Sequence, residues 1–225
     1  MKKVIRLGAL FTLIVGICIL LYPSISQSFY NKSVAKIVDS FEVTITNNNF
    51  DELYQKLLQE NKDLYENGQK DLKDPFSYSQ PSIDLTKYGL KENIIGYIEM
   101  PTINQTIPIY LGANESNMLL GAVHLTNTSY PIGGTNTNSV IAAHRAYSKA
   151  ELFKDVDELQ LGDTIFIRNF REKLSYKVVQ TEIINPDQID KILIQKEKDM
   201  ITLMSCHPYG TNHKRYIVYC ERVSE

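Results

Sequence analysis

The 225-residue chain carries little net charge: 24 Lys and Arg against 26 Asp and Glu leave a formal value of -2. It has no Lys/Arg-rich stripe, so no nucleic-acid partner is expected. It has no internal repeat and no low-complexity tract, which leaves no array or disordered tail to account for. Cysteine is scarce as well, with Cys18, Cys206 and Cys220 the only three. What is present is a hydrophobic fraction of 43%. That is enough for a proper core, and the length suits one mid-sized domain plus an appendage.

The appendage is N-terminal. Met1-Lys2-Lys3 and Arg6 precede an uncharged apolar run from Leu7 to Leu21. A spanning helix needs roughly 20 residues, and Val4 and Ile5 extend the run if Arg6 snorkels to the interface. Tyr22 suits the far interface. The basic residues lie on the N-terminal side, so the expected topology is a single pass with residues from about 25 onward outside the cell. The alternative is a cleaved signal peptide with a small-x-small site at Ser24-Ile25-Ser26. The run is longer than the h-region of about 7–15 residues that such peptides carry, which favours an uncleaved anchor.

Outside the cell, paired cysteines usually form disulfides. If Arg215 begins a strand beside Cys206, however, Cys220 lies about 16 Å further along that strand. A disulfide needs Cα atoms within about 7 Å. Cys206 is therefore expected to be a free thiol, which a nucleophile explains well, and Cys220 a small buried hydrophobe.

Residues 27–66 have helical spacing, broken at Asn47-Asn48-Asn49, with one helix around Val34 to Phe41. In the second, Leu53, Leu57 and Leu58 share a face, and Asn49 or Asp51 is the expected cap. Periodicity fails from Lys70 to Thr86. There Asp74-Pro75-Phe76-Ser77-Tyr78-Ser79-Gln80-Pro81 holds two prolines and predicts a loop. Strands are predicted at 94–100, 106–111, 139–143, 164–168, 174–184, 200–205 and 215–222. A helix is predicted over Lys149 to Gln160, and a short helix or loop over Pro186 to Ile194. Seven or eight strands at regular spacing point to a barrel or sandwich.

Three residues could carry chemistry. Cys206 ends an apolar strand and opens a Pro/Gly loop, which exposes a thiol on a rigid scaffold. Arg215, nine positions on, returns beside it if the loop is a hairpin. There its guanidinium can stabilise a thiolate or an oxyanion. His144, at the end of another strand, can serve as acid and base. Each also fits a structural role: a buried thiol, a core histidine, and an ion pair of Arg215 with Glu221 or Asp163. His124, His207 and His213 are expected to be structural or solvent-exposed. Cys206, His207 and His213 give only three ligands at a spacing zinc sites do not use, so no metal is expected.

Thr202-Leu203-Met204-Ser205-Cys206 resembles the sortase TLxTC motif, and residues 206–215 resemble the pilus-sortase pattern C-x-P-Y-G-x-N-x-x-R. Gly96-Tyr97-Ile98-Glu99-Met100-Pro101 is similar to that family's G-x-I-x-I-P strand. Tyr130-Pro131-Ile132-Gly133-Gly134 and Val140 to Arg145 are similar to its path to the catalytic histidine, and residues 149–163 to the helix and Gly-Asp turn that follow. The chain departs in having Ser205 where Thr is usual. It also shows no second apolar segment before Glu225, where many pilus-type members have one.

The resemblance, to class C sortases, implies a mainly β fold: an eight-stranded sortase-type barrel with N-terminal helices and short helices between strands. It implies an anchor at 1–24, a helical extension at 25–73, a lid loop at 74–81 and the catalytic barrel at 82–225. Cys206 would attack an LPxTG-like sorting signal, His144 would protonate the leaving amine and Arg215 would hold the oxyanion. An amine of a pilin subunit would accept the acyl group, with no metal or organic cofactor. Asp74, Pro75 and Phe76 resemble the family's lid, with Asp74 pairing Arg215 and Phe76 covering Cys206. The alternatives are a housekeeping cell-wall sortase, a cysteine peptidase and a non-enzymatic adhesin.

Overall fold

The computed structural model describes residues 2–145 and 150–223. Eight strands close a barrel: β1 (Ile94–Met100), β2 (Gln105–Leu111), β3 (Ala122–His124), β4 (Thr137–Ala142), β5 (Thr164–Asn169), β6 (Lys173–Ile184), β7 (Asp199–His207) and β8 (Lys214–Arg222). Their order around the wall is β1-β2-β3-β4-β7-β8-β6-β5. Closure leaves no free sheet edge. The inward faces supply Ile98, Ile107, Ile109, Ile141, Ile165, Ile167, Leu203 and Val218, all fully buried. Each such side chain contributes about 1.5–3 kcal/mol of burial energy. Gly96 lets β1 approach β5 closely, since a β-carbon there would run into the Arg168 carbonyl.

Two of the pairings are parallel, β2 with β3 and β4 with β7. β4 is buried along its whole length, as parallel strands covered on both faces are. Its polar residues are therefore matched internally. Asn138 Nδ2 donates to the Ile192 carbonyl at 2.9 Å, and Thr202 Oγ1 donates to Asn138 Oδ1 at 2.8 Å.

The expected strands are present, extended by a few residues. β3 and the six-residue helix α3 (Glu115–Leu120) were not foreseen. The helix predicted over Lys149 to Gln160 is corrected: its start lies outside the described residues, and 152–158 is a run of turns closing in a 3-10 turn at Val156–Glu158. Leu152, Phe153, Val156 and Leu159 are buried as their spacing requires. The backbone winds more tightly because Phe153 N–H bonds the His144 carbonyl at 3.0 Å, tethering the segment to the barrel end.

The two expected N-terminal helices break where predicted but divide differently. A single helix, α1 (Lys2–Asn47), runs from the apolar segment through Pro23 to the asparagine triplet, and α2 (Asp51–Asn67) follows. Phe50 occupies the cap position of α2, and the Asn49 carboxamide accepts the Asp51 N–H at 2.7 Å. The most apolar window of α1 has a mean hydropathy of 2.6 and buries nothing against the barrel, as a segment solvated by lipid would. Further along, Val34 and Phe41 of α1 are buried. Glu42 accepts Arg168 Nε and Nη2 at 2.9 and 3.0 Å and Tyr97 Oη at 2.9 Å.

His124 is a buried structural histidine. Its ring stacks on Tyr130 with centroids 5.1 Å apart, and Nε2–H donates to the Ser129 carbonyl at 2.9 Å. Burial pushes its pKa down to about 4. The unfolded chain binds that proton near 6.5, so the stability it confers is complete above about 6.5 and is lost as pH falls toward 4. The expected outcome is a fall in melting temperature between pH 6.5 and 4 that represents about 3 kcal/mol. It should be absent in His124→Gln, which keeps an N–H at the Nε2 position; an equal fall in both proteins would remove His124 as the cause.

Candidate active site

β4 and β7 run parallel in a register that pairs Ala142 with Met204, an offset of 62 residues. The same offset carries past the strand ends. It sets His144 level with Cys206 at one end of the barrel. The residues on either side are tied at the same offset. Ser205 Oγ donates to the Ala143 carbonyl at 2.8 Å, and Arg145 Nη1 donates to His207 Nδ1 at 3.2 Å. Arg145 is itself buried, held by Asp157 and by the Lys154 carbonyl. The serine that departs from the expected threonine keeps the hydroxyl this contact requires.

β8 returns antiparallel to β7 and pairs Arg215 with Cys206 directly. Arg215 Nη1 lies 3.9 Å from the sulfur. The same register sets Cys220 against Ile201, five residues from Cys206 along β7. Both thiols are free, Cys206 partly exposed and Cys220 buried.

Arg215 is 4% exposed, and every face of its guanidinium is engaged. Nη1 donates to the carbonyls of Asn212 and Lys214 at 2.8 and 3.0 Å. Nε and Nη2 form a two-point ion pair with Asp74, at 2.7 and 2.9 Å. The ion pair considered with Glu221 or Asp163 is thus replaced. Glu221 takes Lys198 at 2.6 Å, and Asp163 accepts the Gln160 N–H at 2.9 Å.

Asp74 begins a 3-10 turn over Pro75–Ser77, and its carboxylate also accepts the Phe76 N–H at 3.2 Å. That bond fixes the ring beside the ion pair. Its centroid is 4.7 Å from Arg215 Cζ and 5.9 Å from the His144 ring centroid. Phe76 therefore touches both groups that flank the sulfur.

Burial raises the Cys206 thiol pKa. The charge of Arg215 works against this rise, and that of Asp74 adds to it. Burial also lowers the His144 pKa. With Asp74 in place, a protonated thiol and a neutral imidazole are favoured at neutral pH. Among the described residues no group of three or more His, Cys, Asp or Glu is arranged to hold a metal. His213 is exposed and His207 is committed to Arg145. A cleft of about 490 Å³ beside α2, lined by Glu60, Asp63 and Tyr130, contains none of these residues.

Sequence reasoning missed the Arg145–His207 and Ser205–Ala143 contacts. Their signal was available only once the strand offset was known, since each residue is the chain neighbour of His144 or Cys206.

Residues 98–223 match the sortase domain family. Sortase D of Bacillus subtilis is 31% identical over 57% of this chain and 64% of its own length, so the match spans a little under two thirds of that relative. Sortase C1 of GBS pilus island 1 superposes with a TM-score of 0.77 at 30% identity, covering 85% of this chain and 92% of that one. Sortase C from Clostridium perfringens SM101 gives 0.70 at 31% identity, covering 84% and 98%. With the domain matched over more than half its length and the closed barrel shared with class C enzymes, the chain belongs to the sortase family of cysteine transpeptidases.

Proposed function

We propose that this sortase polymerises pilins at the cell surface, with Cys206 as nucleophile, His144 as acid and base, and Arg215 as oxyanion and substrate ligand. The observation that carries this reading is the meeting of Cys206, Arg215 and Phe76 around one sulfur at the barrel end. The likeness to sortases C, including one described in terms of pilin substrate specificity, supports the pilus assignment.

The geometry supports the following chemistry. A substrate strand that displaces the lid frees Arg215 from Asp74. His144 takes the thiol proton, and the sulfur attacks the carbonyl of an LPxTG-like sorting signal. The tetrahedral oxyanion forms beside the Arg215 guanidinium, where a fixed cation contributes most in a water-poor site. His144 returns its proton to the leaving amine, giving a thioester on Cys206. A pilin amine then attacks the thioester and restores the thiol. In this scheme every proton passes through His144, and no step calls on a metal or an organic cofactor.

The chain is divided, in this reading, into an anchor at 1–24, a helical extension at 25–73, a lid at 74–81 and the catalytic barrel at 82–225. The anchor crosses the membrane once and leaves the barrel outside. Asp74, Pro75 and Phe76 form the lid, and the closed lid keeps the enzyme idle. Its two charge-assisted hydrogen bonds are worth about 1.5–3 kcal/mol each before hydration of the opened groups offsets part of that.

Replacing Asp74 and Phe76 together by Ala should speed iodoacetamide labelling of Cys206 by roughly one order of magnitude at neutral pH. Loss of the carboxylate also removes a charge that opposes the thiolate, so the midpoint of the labelling profile should move to lower pH. Unchanged rate and midpoint, read by mass on the Cys206 peptide, would reject the lid.

Incubation of the enzyme with a pilin subunit carrying a sorting signal should give a covalent ladder that Cys206→Ala abolishes. Transfer to a peptidoglycan amine mimic without a ladder would indicate cell-wall anchoring instead. Release of free acid despite abundant amine would indicate a peptidase.

A further inference from the structure

Contacts along α1 follow one order. Gln27 Oε1 accepts the Glu151 N–H at 2.8 Å, in the segment tethered to His144. Tyr30 Oη donates to the Leu120 carbonyl at 3.3 Å, just ahead of β3. Phe41 and Glu42 then reach Tyr97 and Arg168. Past the asparagine break, Phe50 and Asp51 meet Phe170 and Arg171 in the turn between β5 and β6.

The strand pairings say which ends these are. β4 and β7 finish, and β8 begins, at the end that holds Cys206. Val123 of β3 pairs with Ala142, so β3 begins at that same end. The β5–β6 turn lies at the other end, because Arg222 at the close of β8 pairs with Tyr176 near the start of β6. α1 therefore reaches the barrel at its catalytic end and runs away from it.

The apolar run stops at Leu21, and Gln27 follows six residues later on the same unbroken helix. Six residues of helix span about 9 Å, against a headgroup layer of roughly 5–8 Å per leaflet. Four large apolar side chains are exposed from this level outward: Ile25, about 6 Å past Leu21, and Phe29, about 12 Å past it, on one face of α1, and Leu119 and Leu120 at the end of α3, beside Tyr30. The helix that carries two of these residues continues directly into the apolar run.

We infer that the catalytic end of the barrel is a membrane-docking surface, with Ile25 seated in the headgroup layer of a phospholipid bilayer and Phe29, Leu119 and Leu120 facing the outer boundary of that layer. α1 acts as a rigid strut that holds the Cys206 rim facing the lipid. Acyl donors held close to the membrane plane then meet the nucleophile directly. This inference rests on the membrane-anchor reading.

The chain contains no tryptophan, so one introduced indole is a unique probe. In full-length protein reconstituted in phosphatidylcholine/phosphatidylglycerol vesicles with a trace of dansyl-headgroup lipid, Tyr209→Trp on the catalytic rim is compared with Glu172→Trp in the β5–β6 turn. Transfer to dansyl should be several-fold stronger from the rim. A flexible Gly-Ser insertion between Tyr22 and Gln27 should level the two probes, and Leu119→Ser with Leu120→Ser should weaken the rim signal. Equal or reversed signals in protein that still floats with the vesicles would overturn the orientation alone. Failure to float would overturn the anchor, and the orientation with it. A rim signal that follows protein concentration and not lipid would mark a self-association face and would also overturn the inference.

Discussion

Parallel pairing of β4 with β7, in one register, is the constraint on which the site depends. The offset of 62 residues brings His144 level with Cys206, Ala143 to Ser205 and Arg145 to His207. A slip of one residue would turn every side chain of one strand to the other face. It would also break the buried Asn138–Thr202 bond and strand its donor and acceptor, at about 1–3 kcal/mol for each group. The core thus enforces the register, and the register delivers the chemistry. β8 adds the third residue by an antiparallel return in which Cys206 and Arg215 are direct partners.

The same arrangement leaves Cys206 and His144 half-buried. Burial opposes charge on both Cys206 and His144, and Asp74 occupies the guanidinium that would favour the thiolate. Phe76 adds a ring in contact with both flanking groups. In the proposed reaction, a substrate that provides its own partners for Arg215 shifts the balance. The residues around the site are tied by hydrogen bonds from chain neighbours, which hold the rim in place.

Much of this could be read from the residues. Alternation in Ile94–Met100, and the apolar runs before His144 and Cys206, located β1, β4 and β7 to within a few residues. β3 escaped because three residues, Ala122–His124, are too few to show a period. The segment 152–158 has helical spacing and buries the expected side chains, yet its backbone answers to a tertiary bond with the His144 carbonyl. The Asp74–Arg215 pair, 141 residues apart in sequence, came only from resemblance, since no local pattern links the two. Arg145 and His207 were invisible for the same reason. The continuity of α1 was hidden by Pro23 and by the change from apolar to mixed composition, neither of which breaks a helix braced by Val34, Phe41 and Glu42.

The central claim is that Cys206 is the nucleophile, and it makes one covalent species unavoidable. Mass spectrometry of enzyme quenched in acid after incubation with an LPxTG-type peptide should find the acyl portion of the signal on the Cys206 peptide, released by hydroxylamine as a thioester must be. Turnover of the peptide without that adduct, or turnover by Cys206→Ala, would contradict the assignment.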